Sequence, residues 1–313
     1  MRLILFVLIA LVLLLLVSGG AMFYLGCVRQ KEQPWLQEDK IKQTPYGKYY
    51  PAIRMADAWL REHNAQPLSI QSHDGLLLYG RWIPAENPRG TVLLAHGYRS
   101  TCLIDFAAFL EFYHTLGMNI LLPDQRSHGK SEGRYITFGV KESADMAAWI
   151  EAHNHRFGDF PMFLMGISMG ASTVLYLADQ KLPPNVRGII ADCGFTSPAQ
   201  ILASVYRRMI HLPAGPTLWT AAIFARLFAG FSLWEKDTRK SLSHARLPVL
   251  MIHGREDGFV PCAMTEEGYA ACRGRKQLFL VDGADHGLSI LRDPEGYCNL
   301  LEQFIGNFSD PSV

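Results

Sequence analysis

Over most of the chain, short continuous apolar runs alternate with stretches of helical periodicity. The runs at 91–95, 119–123, 162–165, 186–191, 249–253 and 277–281 predict strands buried on both faces. Between them the 3.6-residue pattern predicts helices near 103–116, 140–153, 169–180, 263–272 and 294–308. This alternation predicts an α/β class with a mostly parallel, doubly wound sheet. Upstream, residues 68–71 and 76–83 flank the turn sequence S-H-D-G and predict a β-hairpin, preceded by a helix at 52–63.

One stretch breaks the rhythm. From Phe195 to Ala245 there is no strand pattern, but two apolar helical patterns occur, at 198–210 and 215–231. Inserted between late strands of a doubly wound sheet, such a segment would lie over the C-terminal strand ends, where these sheets bind ligands. It is expected to be a helical cap, with Trp219, Ile223 and Phe224 as its substrate-binding candidates.

The N-terminus is of another kind. From Leu3 to Val28 there is no charged residue and no histidine. Residues 3–25 as a helix would be about 34 Å long, enough to cross a hydrocarbon core of about 30 Å. A cleavable signal peptide, with its core at 3–17 and cleavage before Ala21, is the competing reading and would give a secreted protein. Apolar character resumes at once in A-M-F-Y-L-G, which favours an uncleaved anchor. The G-C step at Cys27 resembles a lipoprotein site, but Tyr24 is poorly suited three residues before it. Basic residues flank the segment at Arg2 on one side and at Arg29, Lys31, Lys40, Lys42 and Lys48 on the other. That bias leans towards a cytoplasmic globular domain on a cell-membrane protein. The expected organisation is an anchor at 1–28 and a connector with a helix at 29–66. The core follows at 67–195 and 246–313, interrupted by the cap at 196–245.

Composition narrows the function classes. The chain of 313 residues is 49% hydrophobic, so it can bury a core. Thirty basic and 29 acidic side chains leave a net charge of +1 and no basic stripe, so nucleic-acid binding is not expected. The cysteines at 27, 102, 193, 262, 272 and 298 form no C-x-x-C pair and are expected to be reduced thiols. H-N-H at 153–155 lacks a third ligand, and no phosphate-binding glycine motif follows a strand, so neither a metal nor a cofactor is expected. Nothing in the sequence signals an oligomeric state.

The strongest chemical signal is G-I-S-M-G at 166–170, between the strand P-M-F-L-M and a helical run. This is the context of a nucleophile elbow, in which Ser168 sits on a strained turn at the positive end of a helix. A serine hydroxyl needs a base. In the chain order that accompanies such an elbow, acid then histidine follow, and His286 in G-A-D-H-G is the only histidine beyond Asp257. Asp257 in H-G-R-E-D-G-F-V-P would orient it. Asp192 is a rival acid at the end of the preceding strand, while Glu256, Asp282 and Asp285 are less suitably placed. His253 reads as a strand terminus. The oxyanion donors expected are the N–H of Met169 and the N–H of Tyr98 in H-G-Y-R-S.

Together H-G-Y (96–98), D-Q-R-S-H-G-K-S-E-G (124–133), G-I-S-M-G, H-G-R-E-D-x-x-V-P (253–261) and G-A-D-H-G (283–287) resemble the α/β-hydrolase superfamily over residues 67–308. The subgroup that the chain resembles is the membrane-anchored, lipase- and serine-aminopeptidase-like hydrolases. The resemblance implies the α/β-hydrolase fold, Ser168, Asp257 and His286 as a triad, and Tyr98 with Met169 as an oxyanion hole. In the D-Q-R-S-H-G loop, Asp124 and Arg126 are expected to organise structure. The expected activity is hydrolysis of a carboxylic ester or thioester with a hydrophobic acyl group through an acyl-enzyme. An amidase or aminopeptidase of the same fold, and a non-catalytic binding protein on the same scaffold, are the alternatives.

Overall fold

In the computed structural model the described residues are 1–30, 38–43, 47 and 50–309. Much of the Pro- and Tyr-rich connector lies outside them. The strands are β1 (Gln66–Gln71), β2 (Leu77–Ile83), β3 (Gly90–Ala95), β4 (Met118–Pro123), β5 (Met162–Ile167), β6 (Val186–Asp192), β7 (Val249–Gly254) and β8 (Lys276–Val281). They form one sheet in the order β1-β2-β4-β3-β5-β6-β7-β8. The β1–β2 hairpin and the β2–β4 pair are antiparallel, and every other pair is parallel.

The helices are α1 (Arg2–Cys27), α2 (Glu38–Ile41), α3 (Tyr50–Glu62), α4 (Cys102–Thr115), α5 (Val140–Phe157), α6 (Met169–Leu175), α7 (Pro198–Ile210) and α8 (Gly215–Phe224). They continue with α9 (Thr238–Ser243), α10 (Ala263–Ala271), α11 (Ser289–Arg292) and α12 (Pro294–Ser309). Each residue of β3, β4, β5 and β7 is buried, as continuous apolar runs require when helices cover both faces. Strand alternation divides them. Val92 and Leu94 join Phe106, Phe109 and Tyr113 of α4 and Leu301 and Phe304 of α12 on one face. Leu93 and Ala95 join Met146, Trp149 and Ile150 of α5 and Val174 of α6 on the other.

Two helices depart from the pattern-based expectation. α6 ends at Leu175 instead of near Gln180, because Leu177 N–H and Ala178 N–H turn to carbonyls three residues back and tighten the chain. The apolar pattern at 215–231 is not one α-helix. α8 gives way at Phe224 to a π-helical turn, Ala225–Ala229, which Gly230 ends in the left-handed region at φ 66°.

α7, α8 and α9 lie in sequence between β6 and β7. α1 packs lengthwise on α8, and its end joins the body. Ile136 N–H donates to Cys27 O at 2.7 Å, and Arg29 N–H to Arg134 O at 2.8 Å. Phe23 and Cys27 are buried in a third apolar cluster with Phe138, Met169, Phe195, Leu218 and Phe231. All six cysteines are unpaired thiols.

Candidate active site

Parallel strands place their C-terminal ends at one edge of the sheet, and the chemistry-bearing residues gather there. Ser168 follows β5 directly and adopts φ 57°, ψ −117°, a conformation costly for a side chain with a Cβ. Two glycines make the turn possible. A Cβ on Gly166 would lie 2.1 Å from Gly170 O, and one on Gly170 would lie 1.8 Å from Ala95 O. The backbone is anchored by Ser168 N–H donating to Asp192 O at 2.8 Å. Met169 opens α6, so its N–H belongs to a first turn that has no intrahelical acceptors.

His286 lies in the loop after β8, with Nε2 3.0 Å from Ser168 Oγ and Nδ1 2.7 Å from Asp257 Oδ2. A carboxylate accepts only, so the Nδ1 proton faces Asp257, and Nε2 is left to accept from the serine hydroxyl. Asp257 follows β7. Its Oδ1 accepts from Phe259 N–H and Val260 N–H, each at 2.8 Å. Burial pushes the Asp257 carboxyl upward, but hydrogen bonds from His253 and His286 outweigh it and hold the group well below the usual carboxylate range. The Phe259 ring packs 5.1 Å from the His286 ring.

Sequence reasoning read His253 as a strand terminus. In the fold its Nε2 lies 3.0 Å from the same Asp257 Oδ2 and 3.0 Å from Val260 O, while Nδ1 meets Thr265 Oγ1 at 2.6 Å. Both partners of Nε2 are acceptors, so that nitrogen carries a proton. The position four residues before Asp257 was a visible hint, but Thr265 enters only through α10. The rival acid, Asp192, has other hydrogen-bond donors. It accepts from Tyr297 Oη at 2.9 Å and from Ser289 Oγ at 3.4 Å.

The loop after β3 is fixed around Tyr98. Gly97 N–H donates to Asp105 Oδ2 at 2.6 Å, and His96 Nδ1–H to Gly97 O at 2.9 Å. Arg99 N–H donates to His128 Nε2 at 3.0 Å. The Tyr98 hydroxyl donates to Gly26 O at 2.8 Å, and Arg99 Nη2 to Leu25 O at 2.7 Å, so this loop satisfies carbonyls at the end of α1. A Cβ on Gly97 would stand 3.4 Å from Ser168 Cβ, which puts the loop beside the elbow.

The three cap residues do not share one face. Trp219 and Ile223 are 65% and 53% exposed, and Phe224 stacks towards Phe23 and Phe228. Trp219 and Ile223 thus face outward from α8, while Phe224 lies on the side that meets α1. Asp124 and Arg126 hold structure. Asp124 Oδ2 accepts from Lys130 N–H, and Arg126 pairs with both Asp145 and Asp74.

Among the described residues, two groupings bring three metal-ligand atoms together: Cys193 with Asp257 and His286, and His73 with Asp74 and Asp145. In the first, burial pushes the Cys193 thiol well above its ordinary value, so it is a neutral thiol and a poor ligand. In the second, Arg126 already neutralises the carboxylates. His153 of the H-N-H sequence is instead buried against Thr91 Oγ1.

This sheet order, with a serine elbow after its central strand, defines the α/β-hydrolase fold, and comparison with solved structures agrees. The Pyrococcus furiosus esterase Pf2001 is 23% identical, with a TM-score of 0.65 over 80% of this chain and 94% of that one. A hydrolase from Thermoplasma acidophilum gives 0.53 at 22% identity, over 78% and 99%. The family model described as serine aminopeptidase, S33, matches residues 86–213, which include Ser168 and stop before Asp257 and His286. The chain has the α/β-hydrolase fold, and its match to a hydrolase family model extends over residues 86–213. Among relatives, Bacillus subtilis YqkD is 27% identical over 77% of this chain and 79% of its own length. A monoacylglycerol lipase of Mycolicibacterium smegmatis is 24% identical over 60% and 77%.

Proposed function

We propose that the protein is a membrane-anchored serine hydrolase that cleaves carboxylic esters carrying a hydrophobic acyl group. The observation that carries this reading is the unbroken chain of contacts from Ser168 Oγ through His286 to Asp257, at 3.0 and 2.7 Å. In the proposed mechanism His286 Nε2 takes the Ser168 proton as the oxygen attacks the ester carbonyl. The N–H groups of Tyr98 and Met169 receive the developing oxyanion. Collapse expels the alcohol, which leaves with the proton from His286. Water, deprotonated by the same nitrogen, then releases the acid and restores the serine. Asp257 orients the imidazole and stabilises its charged form. No cofactor enters these steps.

An ester is favoured over an N-terminal peptide because the latter needs a carboxylate for the substrate ammonium. Between Asp192 and Glu235 there is no acidic residue. Glu235 accepts from Ser232 N–H, and Asp237 is engaged by Arg239. The likeness to the mycolicibacterial monoacylglycerol lipase supports an acyl-glycerol-like substrate. The anchor reading of α1 is supported by its 26 residues, by a mean hydropathy of 3.1 over an 18-residue stretch of it, and by the burial of Phe23 and Cys27 in the folded body. The basic flank at residues 29–48 supports a cytoplasmic domain.

A fluorophosphonate probe tests the assignment. Full-length protein should be labelled, and Ser168→Ala should not. A panel of chromogenic esters and aminoacyl amides should show kcat/KM favouring esters, and a tenfold preference for the amides would overturn the ester reading.

A further inference from the structure

We infer that α8, with the turns on either side of it, is immersed in the same leaflet that the anchor enters, so the enzyme is held to the bilayer by two apolar elements. The inference rests on reading α1 as an uncleaved anchor.

The first ground is length. α8 lies along the second half of α1. Thr220 Oγ1 donates to Leu15 O at 2.9 Å, and Ser18 Oγ meets Thr217 Oγ1 at 3.2 Å. At Gly19 the two helices approach so closely that a Cβ would lie 2.0 Å from Thr220 Oγ1 and 2.8 Å from Ala221 N. Small residues at such a crossing are typical of helices packed within lipid. Further along, the Phe23 ring lies 6.3 and 6.0 Å from those of Phe224 and Phe228. The charge of Arg2 bounds the apolar run, so only residues 3–14 lie between it and this contact, and at 1.5 Å each they reach about 18 Å. A hydrocarbon core is about 30 Å thick. The missing 10 Å or so must come from the turns of α1 that α8 covers, and α8 goes into the core with them. Tilting α1 lengthens the required path and deepens α8 further.

The second ground is the outer face of α8. Trp219, Ile223 and Leu227 recur at a spacing of four and are 65%, 53% and 72% exposed, while Leu218, Ala221 and Ala225 on the other side are buried. Phe228 in the following turn, and Met209 and Leu212 just before α8 in sequence, are also 57%, 70% and 58% exposed. An apolar face of this kind on a soluble surface marks an interaction site. The sequence between Asp192 and Glu235 carries no acid, and its only Lys or Arg residues are Arg207, Arg208 and Arg226. Arg208 turns to the carbonyl and ring of Phe259, which leaves the exposed Arg207 and Arg226 to meet anionic headgroups. The Trp219 and Trp234 rings lie 4.6 Å apart, a pair suited to the interfacial belt. The occupant that fits is therefore a lipid leaflet continuous with the one around α1, penetrated to about 10 Å, the depth of interfacial helices.

The test uses full-length protein in vesicles of phosphatidylcholine and phosphatidylglycerol, some made with phosphatidylcholine brominated at mid-chain. Tryptophan fluorescence should be quenched in the brominated vesicles, and Trp219→Phe should remove part of that quenching. Leu227→Glu should reduce turnover of a vesicle-borne ester at least fivefold, while fluorophosphonate labelling in detergent stays at the wild-type rate. Both variants should resist extraction by alkaline carbonate. Carbonate-resistant protein whose quenching is the same with and without Trp219 would overturn the inference while leaving the anchor in place. Self-association in detergent that Leu227→Glu abolishes, with no Trp219 quenching, would overturn it in favour of a second copy on this face. Release by carbonate would refute the anchor, and with it this inference. Loss of fluorophosphonate labelling would count only against the hydrolase reading.

Discussion

Replacing Asp257 by Asn is the sharpest probe of the proposed chemistry, because every hydrogen bond to that carboxylate is accounted for. Oδ1 accepts two backbone N–H groups at 2.8 Å, and Oδ2 faces His286 Nδ1 at 2.7 Å and His253 Nε2 at 3.0 Å. An amide has one acceptor oxygen and one donor nitrogen. The backbone N–H groups of Phe259 and Val260 cannot be rearranged, so the amide oxygen must turn to them and the NH2 to the imidazoles. His286 Nδ1 then has to accept, which moves its proton to Nε2, pointing at Ser168 Oγ. In that tautomer the imidazole cannot take the serine proton, and the imidazolium also loses its counter-charge. A triad with the wrong tautomer loses about 10⁴-fold in kcat, equivalent to about 5.4 kcal/mol of barrier. KM should change little, since Asp257 has no place against substrate. The assay is kcat and kcat/KM on a chromogenic ester in detergent micelles, with thermal melting to show that the variant folds. Asp192→Asn is the control and should lose less than tenfold, because Asp192 accepts from Tyr297 and Ser289 while Asp257 accepts from the His286 imidazole. A folded Asp257→Asn enzyme within tenfold of wild type, or a larger loss from Asp192→Asn, would refute the assignment.

Three further outcomes are expected. Gly170→Ala forces a methyl to 1.8 Å from Ala95 O and should cost more than about 3 kcal/mol, read as loss of folded, probe-reactive protein. Tyr98→Phe removes the donor to Gly26 O while keeping the ring stacked on Phe138. It should cost about 1–2 kcal/mol of stability and lower kcat by less than tenfold, as melting and kinetics would show. The pH dependence of unfolding should carry the mark of His128, whose pKa burial holds well below 6.5. A depressed folded-state pKa makes its contribution fully present above about 6.5 and lost as pH falls below it, by up to about 1.4 kcal/mol per pH unit. Denaturant titrations from pH 7.5 to 5 should show that slope, and His128→Asn should flatten it.

Much of the core was legible because local pattern and burial agree. Each of the six apolar runs became a strand to within a residue or two, since parallel strands covered on both sides tolerate little but apolar residues. The strand order was not legible, because placing β4 between β2 and β3 depends on long-range pairing. Of the site, Ser168 was readable from the glycines its turn needs, and His286 from its place after the last strand. His253 was missed because a histidine ending a strand looks the same whether it meets solvent or a carboxylate. Its partner Thr265 is brought in only by α10. The placing of the cap residues was not legible for a related reason. Helical periodicity reveals that α8 has an apolar face and not which way that face points. Its contact with α1 joins residues about 200 positions apart, such as Ser18 and Thr217.

That contact also changes what a tether means here. A tether joined by a loose linker could be removed without consequence for the active site. α1 instead ends inside the fold. Cys27 O accepts from Ile136 N–H, Val28 bridges Tyr135, and the Tyr98 hydroxyl and Arg99 guanidinium close the last carbonyls of the helix. Tyr98 belongs to the loop proposed to bind the oxyanion. Removing residues 1–28 would therefore unpair that loop and uncover Phe138 and Phe224 along with taking away the proposed anchor. Cleavage before Ala21 would spare Phe23 and Cys27 but strip Ser18 and Gly19 from α8. A chain shortened at either point differs from the native enzyme in its active-site support as well as its location. Its lost activity could not be ascribed to lost membrane contact alone, whereas Leu227→Glu, which leaves α1 and the Tyr98 loop intact, separates the two effects.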